Sequence, residues 1–325
     1  MNVAYIGQII DLQPIPNRDR IVAATVICGK GGKWQGVVVK DQFHVGDLCE
    51  VYLQDAQLPV DDPRFAFMAA KHYRVRMMRF AGVPSEVVVM PLVLEADPED
   101  VGLAIDNIYS ITKYEKPLPA NIGGEIGGNF PSFIPRTDEP NYQTVPHMLD
   151  ALHGKPWYAT TKCDGTSTTA YWYRDHFGIC SRNYELRDTP TNALWQIAHK
   201  YDLEIQYFGH NVAIQWETVG PGIQGNPMGL KQIEPRLFNV YFIDERRYGN
   251  YDQLQWYADI LDMPIVEITQ FGDSFDFTAE QLRIMAEGLY LNGRQREGIV
   301  IRPQVEELVQ GERLSFKVIN LLYKE

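Results

Sequence analysis

Apolar positions recur along this chain in two rhythms. Through residues 1–94 they come as short β-branched runs: Val3–Ile6, Gln8–Ile10, Ile21–Ile27, Trp34–Val39, Leu48–Leu53 and Val87–Leu94. Turn-forming stretches separate them, among them Pro14-Ile15-Pro16-Asn17, Gly29-Lys30-Gly31-Gly32 and His44-Val45-Gly46-Asp47. Runs of this length and spacing predict short strands closing into a small barrel. From Trp157 the pattern changes to strand-like runs alternating with helical periods. Strands are expected at Trp157–Ala159, Thr168–Tyr173, Ile179–Arg182, Ala213–Val219, Leu237–Ile243, Ile299–Arg302 and Leu314–Ile319, with a hairpin turn through Arg174–Gly178. Helices are expected at Tyr251–Leu261, at Thr278–Leu291, and from an N-cap at Thr189, with Pro190 in the first helical position, to about Tyr201.

Between these regions, residues 95–155 are acidic at Ala96–Asp100, rich in proline from Pro117 to Pro156, and punctuated by Gly123-Gly124 and Gly127-Gly128. They read as an ordered connector with one helix near Val145–Leu152. The run Asn129–Pro135 is too aromatic for a free linker and is expected to pack on the second domain. Two domains result, a barrel at 1–94 and a connector plus larger domain at 95–325, in an α+β chain.

Composition changes this picture little. The apolar fraction, 45%, is that of an ordinary globular protein. No run is long enough to span a bilayer, and the first residues lack a basic stretch and a cleavage site, so no leader is read. Cys28, Cys49, Cys163 and Cys180 form no C-x-x-C pair, and reduced thiols in a cytoplasmic enzyme are the simpler reading. The seven histidines have no metal-ligand spacing.

Net charge is −12, which by itself speaks against a nucleic-acid partner. Its distribution qualifies that. Residues 1–94 carry ten Lys and Arg against nine Asp and Glu, a net of +1, while residues 95–325 carry twenty against thirty-three, a net of −13. Phosphate binding would fall to local patches. One such patch is the basic stripe Lys71–Arg79, where Arg74 and Arg76 alternate with Val75 and Met77, so that on a strand both would share an exposed face. Arg74, Arg76 and Arg79 are candidate RNA-phosphate contacts, or simply a solvated strand face.

The chemistry concentrates in Lys162-Cys163-Asp164-Gly165-Thr166-Ser167. A lysine closing a buried strand, followed by an acid and a glycine turn, is a candidate covalent nucleophile. Burial and neighbouring positive charge are expected to disfavour its protonated form and free the lone pair. Gly165 would let the backbone turn tightly and approach a phosphate. Asp-Gly is also a common hairpin turn, so the string needs partners.

Partners come in order downstream: Ser181-Arg182-Asn183, Trp216–Gly220, Phe238–Asp244, Glu297-Gly298-Ile299-Val300 and Ser315–Ile319. The set resembles the covalent nucleotidyltransferases, the superfamily of DNA ligases, RNA ligases and mRNA capping enzymes, whose lysine forms a lysyl-nucleotide intermediate. The resemblance implies Lys162 as nucleophile, with Asp164 beside it, Glu217 as an acid contacting the ribose or the metal shell, and Glu297 as the acid that organises a divalent metal, Mg²⁺ or Mn²⁺, near the lysine. It further implies Arg182 and Lys317 on sugar and phosphate, and Phe238 stacked on the purine. Thr161, Gly165 and Ser167 complete the nucleotide site; some relatives carry Asn where Ser167 stands. Some also carry Lys-x-Lys where this chain has Ser315 and Lys317, and Arg313 is the candidate compensation.

Two features narrow the family. Gly220–Asn226 and Ser315–Asn320 are similar to RNA ligases, and the barrel precedes the motifs, where DNA ligases and capping enzymes place an OB domain after them. The barrel itself is similar to OB folds of the tRNA-binding-protein type. The order resembles the Deinococcus-type RNA ligase, with an N-terminal OB domain and an adenylation domain of antiparallel sheets and flanking helices. That resemblance implies an ATP-dependent enzyme that seals 3′-OH and 5′-phosphate ends, at nicks in RNA-containing duplexes, with no membrane and no obligate protein partner. The other readings are a GTP-dependent capping guanylyltransferase and a nucleic-acid-binding protein with a silent nucleotide pocket.

Overall fold

The computed structural model describes residues 2–115, 125–206 and 208–323. By contact the chain divides into two compact units, Met1–Pro117 with Gln143–Pro146, and Leu118–Tyr142 with His147–Glu325.

In the first unit, strands Ala4–Pro14, Ile21–Cys28, Gly32–Val39, Leu48–Tyr52 and Val88–Pro91 make one antiparallel sheet, in the spatial order third, second, first, fourth, fifth. Alternation sends Ala4, Ile6, Ala24, Val26, Trp34, Val38 and Val51 into one core. The sheet curls back on itself where the Glu86 amide donates to Gln35 O at 2.8 Å and the Val37 amide to Ser85 Oγ at 3.0 Å. Gly36 permits that approach, since a Cβ there would lie 2.8 Å from Val89 Cγ2. This is the expected OB-like barrel.

The compact unit extends beyond the 1–94 read from sequence. Ile105 and Ile111 lie in the barrel core, the Val3 amide donates to Asp106 Oδ1 at 2.7 Å, and Thr112–Lys113 pairs with Ala56–Gln57. The acidic stretch at 96–100 hid these apolar anchors. Gly123-Gly124 lies outside the described residues.

The basic stripe is not one strand, which corrects the expected shared face. Pro63–Lys71 is a 3-10 helix, His72 and Tyr73 both take left-handed backbone, and strand resumes only at Met78–Phe80. Arg74 donates to Asp55 Oδ1 at 2.6 Å and lies 4.1 Å from the Tyr114 ring centre, while Arg79 donates to Gly82 O at 2.8 Å. Arg76 is exposed.

Among its described residues the second unit holds two main antiparallel sheets and a small two-stranded one, Leu308–Val309 with Glu312–Arg313. The larger has seven strands in the order Ile126–Asn129, Tyr184–Leu186, His176–Cys180, Thr166–Tyr173, Val212–Val219, Glu234–Phe242 and Arg247–Tyr248. One of its faces, with Ala170, Trp172, Ile214, Trp216 and Val240, is covered by helices Ala193–Lys200 and Tyr251–Leu261. The smaller of the two main sheets is ordered Ile268–Gly272, Trp157–Lys162, Gly298–Pro303 and Phe316–Ile319. The aromatic run before the first motif packs as expected: Ile134 is buried with Tyr171, Ala213 and Tyr241, and Phe133 stacks on Tyr173 at 4.4 Å.

Two helix ends differ from expectation. Asn192, not Thr189, is the N-cap, its side chain accepting from Leu194 and Trp195; Thr189 instead donates to Glu125 Oε1 at 2.9 Å. Thr278 does cap its helix, through a reciprocal bond with Gln281, but the helix ends at Ala286 rather than Leu291. Gly288 and the hairpin-like contact of Leu289 with Gln295 then free Tyr290 from the helix.

Candidate active site

Strand register assembles the site. Lys162 ends its strand opposite Gly298, and Val300 lies opposite Lys317. Residues paired across an antiparallel sheet share a face, and so do residues two apart, so Lys162, Val300, Lys317 and Arg302 stand on one face. Gly298 is required by crowding: a Cβ there would lie 2.2 Å from Val318 O. Lys162 Nζ donates to Glu297 Oε1 at 2.5 Å, and both side chains are largely enclosed, 23% and 21% exposed.

In the larger sheet, Ser167 is paired with Glu217. Gly165 sits against the Glu217 strand, and a Cβ there would lie 2.4 Å from Thr218 O and 2.8 Å from Glu217 Cγ. Close approach to this strand is therefore sufficient reason for a glycine. Its amide also donates to the Glu217 carboxylate.

The electrostatics correct one expectation. Burial does push the Lys162 ammonium toward losing its proton, but Glu297, Glu217 and Asp164 outweigh it and hold its pKa above the ordinary lysine value. Acids, rather than a cation, dominate the surroundings of the amine. Burial raises the Glu217 carboxyl to about 8, with Glu297 and Asp164 adding to the rise and Lys162 opposing it. Glu297 moves up for the same reason, with Lys162 the main opposing influence. Three carboxylates facing one ammonium leave surplus negative charge, and their oxygen donors suit Mg²⁺ or Mn²⁺. Among the described residues no three His, Cys, Asp or Glu side chains form a metal cage of their own.

Phe238 occupies a break in register: Gln215 pairs with Asn239 but Trp216 with Leu237, leaving Phe238 as the extra residue of a bulge. Its half-buried ring packs with Cys163, Val219 and Val266, beside the nucleophile's neighbour. Thr161, one residue before the lysine, points the other way and donates to Glu267 Oε2 at 3.0 Å. Burial pushes the Cys163 thiol up to about 12, so it is no rival nucleophile.

A segment that the sequence did not mark as functional crosses the site. Successive residues of Pro135–Asn141 reach both sheets. Pro135 O accepts from Gln215 Nε2 at 2.9 Å, and Thr137 Oγ1 lies 2.5 Å from Ser167 Oγ. Asp138 Oδ1 accepts from Arg182 at 2.6 Å, and Glu139 Oε1 from Arg302 at 2.5 Å. Pro140 O accepts from the Lys317 amide at 2.8 Å. Arg182 is thus brought alongside Ser167 but is half exposed and held by Asp138.

Ser315 is buried and accepts from Arg302 Nε at 3.1 Å. Arg302 also donates to Phe238 O at 2.7 Å, so one buried guanidinium joins both sheets and the crossing segment. The suggested compensation by Arg313 is not supported: its guanidinium is bound to Glu306 and Asn239 and lies 3.8 Å from the Tyr248 ring centre. Tyr290 was also missed. Its hydroxyl donates to Lys162 O at 3.1 Å and accepts the amides of Asp164 and Glu297, each at 3.3 Å, pinning the two catalytic strands together. Arg302 closes the apolar run Ile299–Arg302, which the sequence marks only as a strand; its burial and its partners appear in the fold.

Comparison with known proteins agrees with this architecture. The RNA ligase family model matches residues 155–319, and an OB-fold domain model matches residues 3–92. No curated protein matches the sequence. Among solved structures, Naegleria gruberi RNA ligase with PPi superimposes with a TM-score of 0.85 at 31% identity, over 98% of this chain and 97% of that one. A mutant of that ligase with ATP and Mn gives 0.84 at 31% identity, over 98% and 97%, and another with AMP and Mn gives 0.84 at 31%, over 98% and 96%.

Proposed function

The chain belongs to the RNA ligase family and is an ATP-dependent RNA ligase, and on that premise we propose that it joins 3′-OH to 5′-phosphate ends at nicks in RNA-containing duplexes, through a lysyl-adenylate on Lys162. The observation that carries the assignment is the Lys162–Glu297 pair at a strand end, with Glu217 and Asp164 close enough to alter its proton affinity.

In the first step Lys162 Nζ attacks the α-phosphorus of ATP. A P–N bond forms, the bond to the bridging oxygen breaks, and pyrophosphate leaves with that electron pair. Lys162 must first give up the proton that the acids now hold. Lys317, on the same sheet face, and Arg182 would meet the phosphates, and Phe238 would stack on adenine. Glu217 and Glu297 would hold Mg²⁺ or Mn²⁺, which supplies positive charge against the phosphate oxygens and relaxes the acids' hold on the amine. A 5′-phosphate oxygen of RNA then attacks the same phosphorus and frees the lysine. The 3′-OH finally attacks the activated 5′-phosphate, forming the phosphodiester and releasing AMP.

Preference for nicks rests on the barrel. Arg76 and Lys71 are exposed cations of the basic stripe, and Arg79 is half-buried; Arg74, bound to Asp55, is half-buried as well. Among the described residues no helix is long and apolar enough to cross a membrane, and all four cysteines are free and buried, which fits the proposed cytoplasmic setting. The test is sealing of a pre-adenylylated 5′ end, presented either at a nick in an RNA duplex or on a single strand. Faster sealing at the nick is expected; equal rates would remove the nick preference.

A further inference from the structure

A second phenol meets the nucleophile's strand end, and none of the three reaction steps gives it a part. The Tyr323 hydroxyl donates to Asp164 Oδ2. The bond ties one oxygen of that carboxyl group to a phenol whose ring the turn Asn320–Tyr323 holds.

The turn that presents Tyr323 is tightly built. Asn320 is fully buried. Its Nδ2 donates to Gln295 Oε1 at 3.0 Å and to Arg296 O at 2.8 Å, and its backbone amide donates to Glu297 O at 2.9 Å. Its Oδ1 accepts the Leu322 amide at 2.9 Å, and its carbonyl accepts the Tyr323 amide at 3.0 Å. One asparagine therefore locks the turn bearing Tyr323 to the loop bearing Glu297. Tyr290 holds the other end of the same arrangement, through Lys162 O and the Asp164 and Glu297 amides.

We propose that Tyr323 is a positioning residue for lysine adenylylation, fixing the Asp164 carboxylate against the nucleophile. The inference rests on the assignment of Lys162 as the adenylylated residue. Asp164 lies two residues beyond the lysine, and the Tyr290 hydroxyl that accepts its amide donates to Lys162 O. With one oxygen held by Tyr323 and its amide by Tyr290, this carboxylate keeps a single orientation while ATP and metal enter. Without the hydroxyl it is free to rotate toward Lys162 or away, and fewer encounters find the amine correctly placed.

Tyr323→Phe keeps the ring and removes only the hydroxyl. In single-turnover labelling of the full chain with radioactive ATP and Mn²⁺, we expect its rate at saturating ATP to fall about tenfold. The ATP concentration for half-maximal rate should stay within about twofold, and the melting temperature close to that of the wild type, because the bond that is removed is the one to the Asp164 carboxylate. Leu322→Ala perturbs the same turn without touching the phenol and should label at the wild-type rate. The proposal is overturned if Tyr323→Phe labels like wild type, if only its ATP half-saturation rises, or if Leu322→Ala is equally slow. Failure of the wild-type chain to label would overturn the adenylylation reading itself, and this inference with it.

Discussion

Lys162 Nζ is held 2.5 Å from Glu297 Oε1 because Lys162 pairs with Gly298, which puts Glu297 one step past the register and beside the amine. The proposed nucleophile thus rests as an ion pair, and on that reading its release depends on charge brought in against the acids. Glu297→Ala should lower self-labelling by at least about 100-fold across all Mg²⁺ concentrations. Glu297→Asp, whose carboxylate is one methylene shorter, should recover part of it with Mn²⁺. Labelling by the wild-type chain in the presence of a metal chelator would contradict the metal role.

The surplus of acids should also be felt in stability. Glu217 titrates near 8 in the folded chain against 4.5 for an ordinary glutamate. Below about pH 4.5 both states carry the proton; between 4.5 and 8 the unfolded chain loses it first, so this group's stabilising contribution drains away as pH rises. Glu217→Gln removes that drain. In metal-free buffer it should be more stable than wild type by about 1–2 kcal/mol at pH 8.5, a few degrees in Tm, with the gain shrinking toward pH 5. A gain that is constant with pH, or larger in acid, would count against the raised pKa.

Arg302 and Glu139 form a buried pair, with side chains 2% and 15% exposed. Removing one partner leaves the other charged and buried, so Arg302→Leu should cost about 3–5 kcal/mol in denaturant unfolding. Arg302→Leu combined with Glu139→Leu should recover much of it. A single-variant cost under about 1 kcal/mol would show that the crossing segment is not held this way.

These structural ties show what could be read in the chain and what could not. Strands in the barrel and the helix Tyr251–Leu261 arise from local alternation and period, and the structure reproduces them. The candidate nucleophile Lys162, both candidate glutamates and Lys317 stand out in sequence because each lies in a short string, and two of those strings hold a glycine, Gly165 or Gly298, that strand contacts constrain. Thr137, Asp138 and Glu139 carry no such signature. They act through partners 30 to 163 residues away, Ser167 and Arg302 among them, and only the folded register brings those together. Tyr290 was hidden by a helical period that Gly288 interrupts. The basic stripe misled because alternation in sequence does not guarantee a strand when His72 and Tyr73 turn left-handed.

The proposed part of the barrel in RNA binding should be separable from nucleotide chemistry. Arg76→Glu with Arg79→Glu should leave self-labelling within about twofold, since the adenylylation residues all lie in the second unit. Sealing of a pre-adenylylated nick should fall at least about tenfold, and RNA binding should depend less steeply on salt. Unchanged sealing at matched salt would take these arginines out of the RNA contact.

Self-labelling is the measurement closest to the central claim. The wild-type chain, incubated with ATP radioactive in its α-phosphate and with Mg²⁺ or Mn²⁺, should carry label that survives denaturation. Lys162→Ala should carry none, nor should Lys162→Arg, whose guanidinium stays protonated and cannot attack. Either variant labelled to the wild-type extent would show that the adenylate forms elsewhere.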